Sequence, residues 1–283
     1  MRQMNSGFVV TDAIVDEYWE RGYWISPKLL NDDQIEQLRE DHQRLWSRDY
    51  DRYIPSQYGI APFDPDSNSV RQQCNAFWLM DNIRETVLNP LIGEIASRLM
   101  KVDTVRLWHD QAIYKPPQGD GQSLAGNIGW HQDYGHWQIS NTTNMCTAWI
   151  ALQDTNLNNG GMRTIVGSHK WGLVEDSDTF GEKDLESLAV KFAEQGGDNW
   201  IDEPCILKAG QASFHHALTF HGSGPNLSDE PRLSIVAHMM PDNTAYQPKG
   251  TRWHPNLAFL GPNARGGETF NHNEFFPVIY SKP

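Results

Sequence analysis

Cysteine is scarce in this chain. Cys74, Cys146 and Cys205 are the three cysteines in 283 residues and show no Cys-x-x-Cys spacing, which argues against a disulfide framework and for a reducing compartment. Basic charge is also short: 23 Lys and Arg stand against 36 Asp and Glu, a net charge of −13. Nucleic acid and anionic membranes both need a basic face, so neither is expected as a partner. No apolar run approaches the roughly 18 residues of a membrane span. The N-terminus turns acidic after a short apolar run, unlike a signal peptide. The cytoplasm is the expected location. A Gly-rich phosphate cradle and a Gly-x-Ser-x-Gly elbow are both missing.

What is present reads as one large decorated unit spanning 1–283. At 39% hydrophobic and 21% charged the composition is ordinary, and the eleven tryptophans are mostly expected in the core. Residues 11–23 carry Ile14, Val15, Tyr18 and Trp19 at helical spacing, and Gly22 breaks the pattern. Asn31 with Gln34 resembles a capping box; Ile35, Leu38, His42 and Leu45 then mark one helix face. Residues 48–76 are polar and rich in Pro, Asp and Ser, which predicts a long loop or lid. Asn89-Pro90 predicts a cap followed by a proline in the first turn.

From about Val105 the period becomes two. Val105, Leu107, His109, Gln111, Ile113 and Lys115 are expected on one strand face, and Arg232, Ser234, Val236 and His238 on another. Further strands are expected at 146–151, 162–166, 205–208 and 211–216, with a helix at 182–194 and a turn at Asn158-Asn159-Gly160-Gly161. Helices first and short strands afterwards predict a mostly β fold with flanking helices, a double-stranded β-helix (jelly roll, cupin-like). Its expected parts are a mainly helical 1–103 with the lid, a jelly-roll core 104–241 and an ordered tail 242–283.

Chemistry gathers in two stretches. In Trp130-His131-Gln132-Asp133-Tyr134, a His-x-Asp step on an extended segment puts an imidazole and a carboxylate on the same face. These are two of the three ligands of a 2-His-1-carboxylate set, which holds non-haem Fe(II) and leaves the opposite positions open. Downstream, His215, His216 and His221 offer a third ligand, and Arg232 follows. The plainer readings are a turn carboxylate for Asp133 and a core histidine for His221.

With both stretches in view, the chain resembles the phytanoyl-CoA dioxygenase family of Fe(II)/2-oxoglutarate oxygenases. The matching pieces are Asp110-Gln111, Lys115-Pro116-Pro117, Trp130-His131-Gln132-Asp133, Asn159-Gly160-Gly161-Met162, Gly167-Ser168-His169 and His221-Gly222-Ser223-Gly224-Pro225-Asn226 with Arg232. Val166 stands where the family usually has a proline before Gly-Ser-His, and the last forty or so residues match nothing in the pattern.

The resemblance implies His131, Asp133 and His221 as iron ligands, with His221 preferred to its rivals because Gly222-Ser223 and then Arg232 follow it. It implies Arg232 as the grip on the distal carboxylate of 2-oxoglutarate, with Ser223 beside it and Trp149, Gln132, Ile113 and His216 lining or supporting the site. Arg232 as a structural ion pair, Trp149 as plain core and Ser223 as a turn residue are the alternatives. Lys115 is read as a surface lysine ahead of Pro116-Pro117 and left out of the site. Tyr134, His136, Trp137, Asn75, Trp78 and Trp253 are substrate-contact candidates.

The implied activity uses Fe(II), 2-oxoglutarate and O2 to oxidise an unactivated C–H of a small molecule, hydroxylation being the default, with release of succinate and CO2. A monomer or small homo-oligomer is expected. Rival readings are a zinc-dependent hydrolase or isomerase on a cupin-like fold, which leaves Arg232 unexplained, and a non-catalytic jelly-roll binding module. His272-x-Glu274 is set aside as a chance pair.

Overall fold

The computed structural model describes residues 8–52, 69–119, 124–196, 199–250, 252 and 254–283. Trp253 and residues 53–68, the middle of the expected lid, lie outside them.

The helical N-terminal part forms as its caps dictate. Thr11 caps α1 (Asp12–Arg21), and Gly22, at φ 83°, closes it in the left-handed conformation that glycine adopts without a Cβ penalty. Strand β1 (Tyr23–Ile25) follows. Asn31 and Gln34 make the expected capping box of α2 (Asp32–Trp46). After β2 (Arg71–Cys74) come α3 (Asp81–Val87) and α4 (Pro90–Met100), the latter capped by Asn89 with a proline in its first turn.

The remaining chain is mostly antiparallel sheet: β3 (Thr104–Lys115), β4 (Ile128–His131), the short α5 (Asp133–His136), β5 (Cys146–Ala151), β6 (Arg163–Ile165), α6 (Leu185–Gly196), β7 (Asp202–Pro204), β8 (Ala212–His216), β9 (His221–Ser223), β10 (Arg232–Pro241) and β11 (Val278–Ser281). Among the described residues these form two sheets. The larger runs β1-β8-β5-β10-β3-β11, with β2 also on β3, and the smaller runs β4-β9-β6-β7. This is the jelly roll expected from the strand pattern.

Alternation along the larger sheet separates its two jobs. Ala112, Ala148, Ile150, Phe214, Ile235 and Ala237 point away from the smaller sheet and pack with Ile35, Leu38, Ile92 and Ile95 of the helices. Ile113, Trp149, His215 and Val236, one step out of phase, face the space between the sheets. Trp130 and Ile165 of the smaller sheet, with Phe220 just before β9, lie under Leu188 and Phe192 of α6.

Two strand expectations need correction. Val105 and Leu107 do not share a face with His109, Gln111, Ile113 and Lys115. A register shift sets His238 opposite His109 but Met239 opposite Leu107, and such a bulge turns the strand over. Val105 and Leu107 therefore join the helix-side core, while Trp108 packs among Trp137, Phe270 and Phe276. Residues 205–208 are not a strand: Leu207 exchanges hydrogen bonds with Thr155, which holds the segment against a loop instead of a ladder. The strand expected at 162–166 shortens to β6, and the helix expected at 182–194 begins three residues later as α6.

Candidate active site

The register of the smaller sheet builds the centre. His131, the last residue of β4, and His221, the first of β9, are direct cross-strand partners, and their rings lie 4.2 Å apart, centroid to centroid. Gln132 is extended, and Asp133 opens α5, so the carboxylate turns back toward both rings. Asp133 Oδ1 lies 3.7 Å from His131 Nε2 and 3.6 Å from His221 Nε2. All three residues are buried.

Their surroundings prepare them as donors. His131 Nδ1 bonds the carbonyl of Gly129 at 2.7 Å and His221 Nδ1 that of Thr219 at 3.0 Å. A carbonyl only accepts, so each Nδ1 carries the proton and each Nε2 presents a lone pair. Burial pushes Asp133 up, but the neighbouring imidazoles, His221 first, hold it well below the usual carboxylate range. Burial also lowers His221 well below an ordinary histidine. Thr147 donates to Asp133 Oδ2 at 2.8 Å, leaving Oδ1 toward the imidazoles. Two imidazole lone pairs and one carboxylate oxygen, within 4.8 Å of one another, suit a divalent transition metal.

These side chains open on a cavity of about 460 Å³ between the sheets. At its other end Arg232 is buried, its Cζ 4.9 Å from the Trp149 ring centroid, and its Nε has no hydrogen-bond partner. Burial lowers its pKa to about 10. Lys115, its cross-strand partner, is fully buried and donates to Ser223 Oγ at 2.6 Å and to the carbonyl of Gly224. Burial, then the Arg232 charge, pulls the ammonium well below its ordinary value. Among the described residues no carboxylate pairs with either cation. Two buried cations without a counter-charge mark an anion site.

The structure brings some of the expected site residues together. Ile113, Trp149, Ser223 and Arg232 line the cavity, as do His136, Trp137 and Asn75. Others do not. The Gln132 side chain is a brace on the opposite face, donating to the carbonyls of Gly172 and Leu218 and accepting from Val174 N. His216 faces the helix side, against Tyr18, Trp19 and His169, and accepts from Leu218 N. Its neighbour His215 points inward, Nε2 lying 3.3 Å from Asp133 Oδ2. Tyr134 is turned away to donate to the carbonyl of Ser140. Trp78 packs edge-on to Phe259 and Phe275.

Sequence reasoning missed Lys115, and also His109, His238, His254, Asn256, Asp178 and Phe180 on the cavity wall. For Lys115, His109 and His238 a signal existed, because period two already grouped them with Ile113, Gln111 and Arg232. Asp178, Phe180, His254 and Asn256 sit in irregular segments with no such signal.

The family model described as Phytanoyl-CoA dioxygenase (PhyH) matches residues 18–234. The chain belongs to that family. Among similar proteins, a probable alpha-ketoglutarate-dependent hypophosphite dioxygenase of Stutzerimonas stutzeri is 23% identical over 78% of this chain and 75% of its own. An ectoine dioxygenase of Bordetella parapertussis is 24% identical over 83% and 77%. The carbocyclase SnoK from nogalamycin biosynthesis has a similar fold, with a TM-score of 0.72 at 23% identity over 98% of both chains. The epimerase SnoN, solved with Fe3+, alpha ketoglutarate and nogalamycin RO, superposes with a TM-score of 0.68 at 27% identity over 95% of this chain and 98% of its own. This family member is an Fe(II)/2-oxoglutarate-dependent dioxygenase, with O2 as the second co-substrate.

Proposed function

We propose that the enzyme oxidises an unactivated C–H of a small-molecule metabolite, by hydroxylation, with release of succinate and CO2. The observation that carries this reading is a buried His-Asp-His donor set on the wall of the same cavity as buried Arg232, with Lys115 buried directly opposite Arg232 on the neighbouring strand. His131 Nε2, Asp133 Oδ1 and His221 Nε2 would hold the metal, which would bring the keto acid and dioxygen together. Bound Fe(II), with 2-oxoglutarate and O2, supplies the oxidising power.

The chain's own residues orient and exclude. The Arg232 fork and the Lys115 ammonium neutralise the distal carboxylate of 2-oxoglutarate. Lys115 donates to Ser223 Oγ, which frees the Ser223 hydroxyl proton for the same carboxylate. Trp149, under the Arg232 guanidinium, and Ile113 wall the keto acid away from water. Thr147 donates to Oδ2 of Asp133, with His215 Nε2 3.3 Å from the same oxygen, so that Oδ1 keeps its aim. A zinc hydrolase would use the same three donors, but it would leave two buried cations with no anion to neutralise them.

The test is a screen of small metabolites in the presence of Fe(II), 2-oxoglutarate and O2, reading succinate release and product mass together. Substrate-dependent succinate with a gain of one oxygen atom is the expected result. Succinate with loss of two hydrogens or with no mass change would replace hydroxylation by desaturation, ring closure or epimerisation. Turnover with Zn(II) and without 2-oxoglutarate would overturn the reading.

A further inference from the structure

Beyond the metal and keto-acid groups, the cavity carries a row of polar side chains across four adjacent strands of the larger sheet. His109 on β3 pairs with His238 on β10, His238 with Thr147 on β5, and Thr147 with His215 on β8. All four line the cavity and all are buried.

Hydrogen-bond logic fixes the tautomer of His238. Thr147 Oγ1 lies 2.8 Å from Asp133 Oδ2 and 2.8 Å from His238 Nδ1. The Asp133 carboxylate only accepts, so the single hydroxyl proton of Thr147 goes to it. Thr147 Oγ1 must then accept from His238, which places the imidazole proton on Nδ1. His238 Nε2 is left as a bare acceptor, and it has no partner. An unsatisfied buried acceptor is destabilising, so a ligand that supplies a proton donor gains by meeting it. His254, stacked on Trp108 at the same end, is fixed in the opposite sense. Its Nδ1 accepts from Asn256 N at 3.1 Å, which leaves Nε2–H as a donor.

Among the described residues, charge at this end is accounted for. Of the charged residues lining the cavity, Asp133 belongs to the metal cluster and Arg232 to the anion site. Asp178, partly exposed at the mouth, lies 3.4 Å from His136 and 4.0 Å from Arg252. The polar wall beside it is mainly imidazole and amide, including His109, His238, His254, Asn75, Gln111 and Asn256. Trp137, Phe180 and Ile128 supply apolar surface beside it.

We propose that the substrate is an uncharged polar molecule with an apolar body, and that it is selected by an O–H or N–H group donating to His238 Nε2. This deepens the proposed function and rests on it, because it takes Arg232, Lys115 and Asp133 as already committed. His238 is on this account a specificity residue, and Thr147 the group that sets its tautomer.

The experiment uses the full chain loaded with Zn(II) and 2-oxoglutarate, with four fluorinated probes followed by 19F NMR: 4-fluorobenzyl alcohol, its methyl ether, 4-fluorobenzoate and 4-fluorobenzylammonium. The alcohol is expected to bind about tenfold more tightly than the ether, as one hydrogen bond of about 1.4 kcal/mol requires, and ahead of both ions. His238→Asn keeps an amide N–H in the place of Nδ1 for Thr147 but deletes the acceptor. It should erase the alcohol preference while leaving 2-oxoglutarate affinity within about twofold. Should that variant fail to fold, 15N NMR of the wild-type imidazoles decides instead: His238 Nε2 should be unprotonated and should shift when 4-fluorobenzyl alcohol is added. A protein that binds 2-oxoglutarate but treats alcohol and ether alike, prefers an ion, or shows no shift at Nε2 overturns this inference alone. Failure of 2-oxoglutarate to bind at all overturns the proposed function and this inference with it.

Discussion

Lys115 and Arg232 stand directly opposite each other on antiparallel β3 and β10, both buried. Like charges at such spacing repel in a medium of low dielectric, and an anion beside them relieves that repulsion. Lys115→Met is therefore predicted to weaken 2-oxoglutarate binding by about 10- to 100-fold, the range of a hydrogen bond to a charged group. Metal affinity should stay unchanged. Calorimetric titration of the keto acid into the metal-loaded variant measures it.

Close approach of backbone gives a second prediction. A Cβ at Gly129 would collide with the carbonyls of Thr179 and Glu182. That loop carries Asp178, Phe180 and Gly181 into the cavity wall, and Gly129 O also fixes His131. Gly129→Ala should lower stability by about 1–3 kcal/mol and weaken iron binding at the same time. Paired denaturation and metal titrations check this.

How much of this was readable beforehand depends on where the deciding contact lies. The jelly roll and the grouping of Arg232 with Val236 and His238 follow from period two, a local property. The choice between His215 and His216 does not. They are adjacent, one faces in and the other out, and only the pairing of β8 with β5 says which. Lys115 was already on the inward face with Ile113, yet it read as a surface lysine because Ser223 and Gly224, which bury it, are distant in sequence. Gln132 lay within the motif but faces the opposite way from His131, as alternation requires. The tail matched no pattern, and it contributes His254, Pro255 and Asn256 to the cavity.

Acid sensitivity supplies a third prediction. Burial lowers His42 from about 6.5 to about 4. Between those values the unfolded chain takes up a proton that the folded chain refuses, so stability falls as pH drops from about 6.5 to 4. For this one group the loss is about 3 kcal/mol at most, from 1.36 kcal/mol per unit. Asp110, raised by burial to about 8, works the other way: its contribution is present below about 4 and is lost as pH rises through 8. His42→Phe should therefore show a smaller fall in urea midpoint between pH 7 and pH 4.5 than the wild type. An equal fall would contradict the assignment.

The most direct test of the account is anaerobic addition of Fe(II) and then 2-oxoglutarate, followed by visible absorption. Wild-type protein should give the weak metal-to-ligand charge-transfer band of a keto acid chelated to an open ferrous site. His215→Ala should retain the band, and His221→Ala should lose it together with succinate formation. A band that survives in His221→Ala and vanishes in His215→Ala would show that the metal is held by a different set of donors.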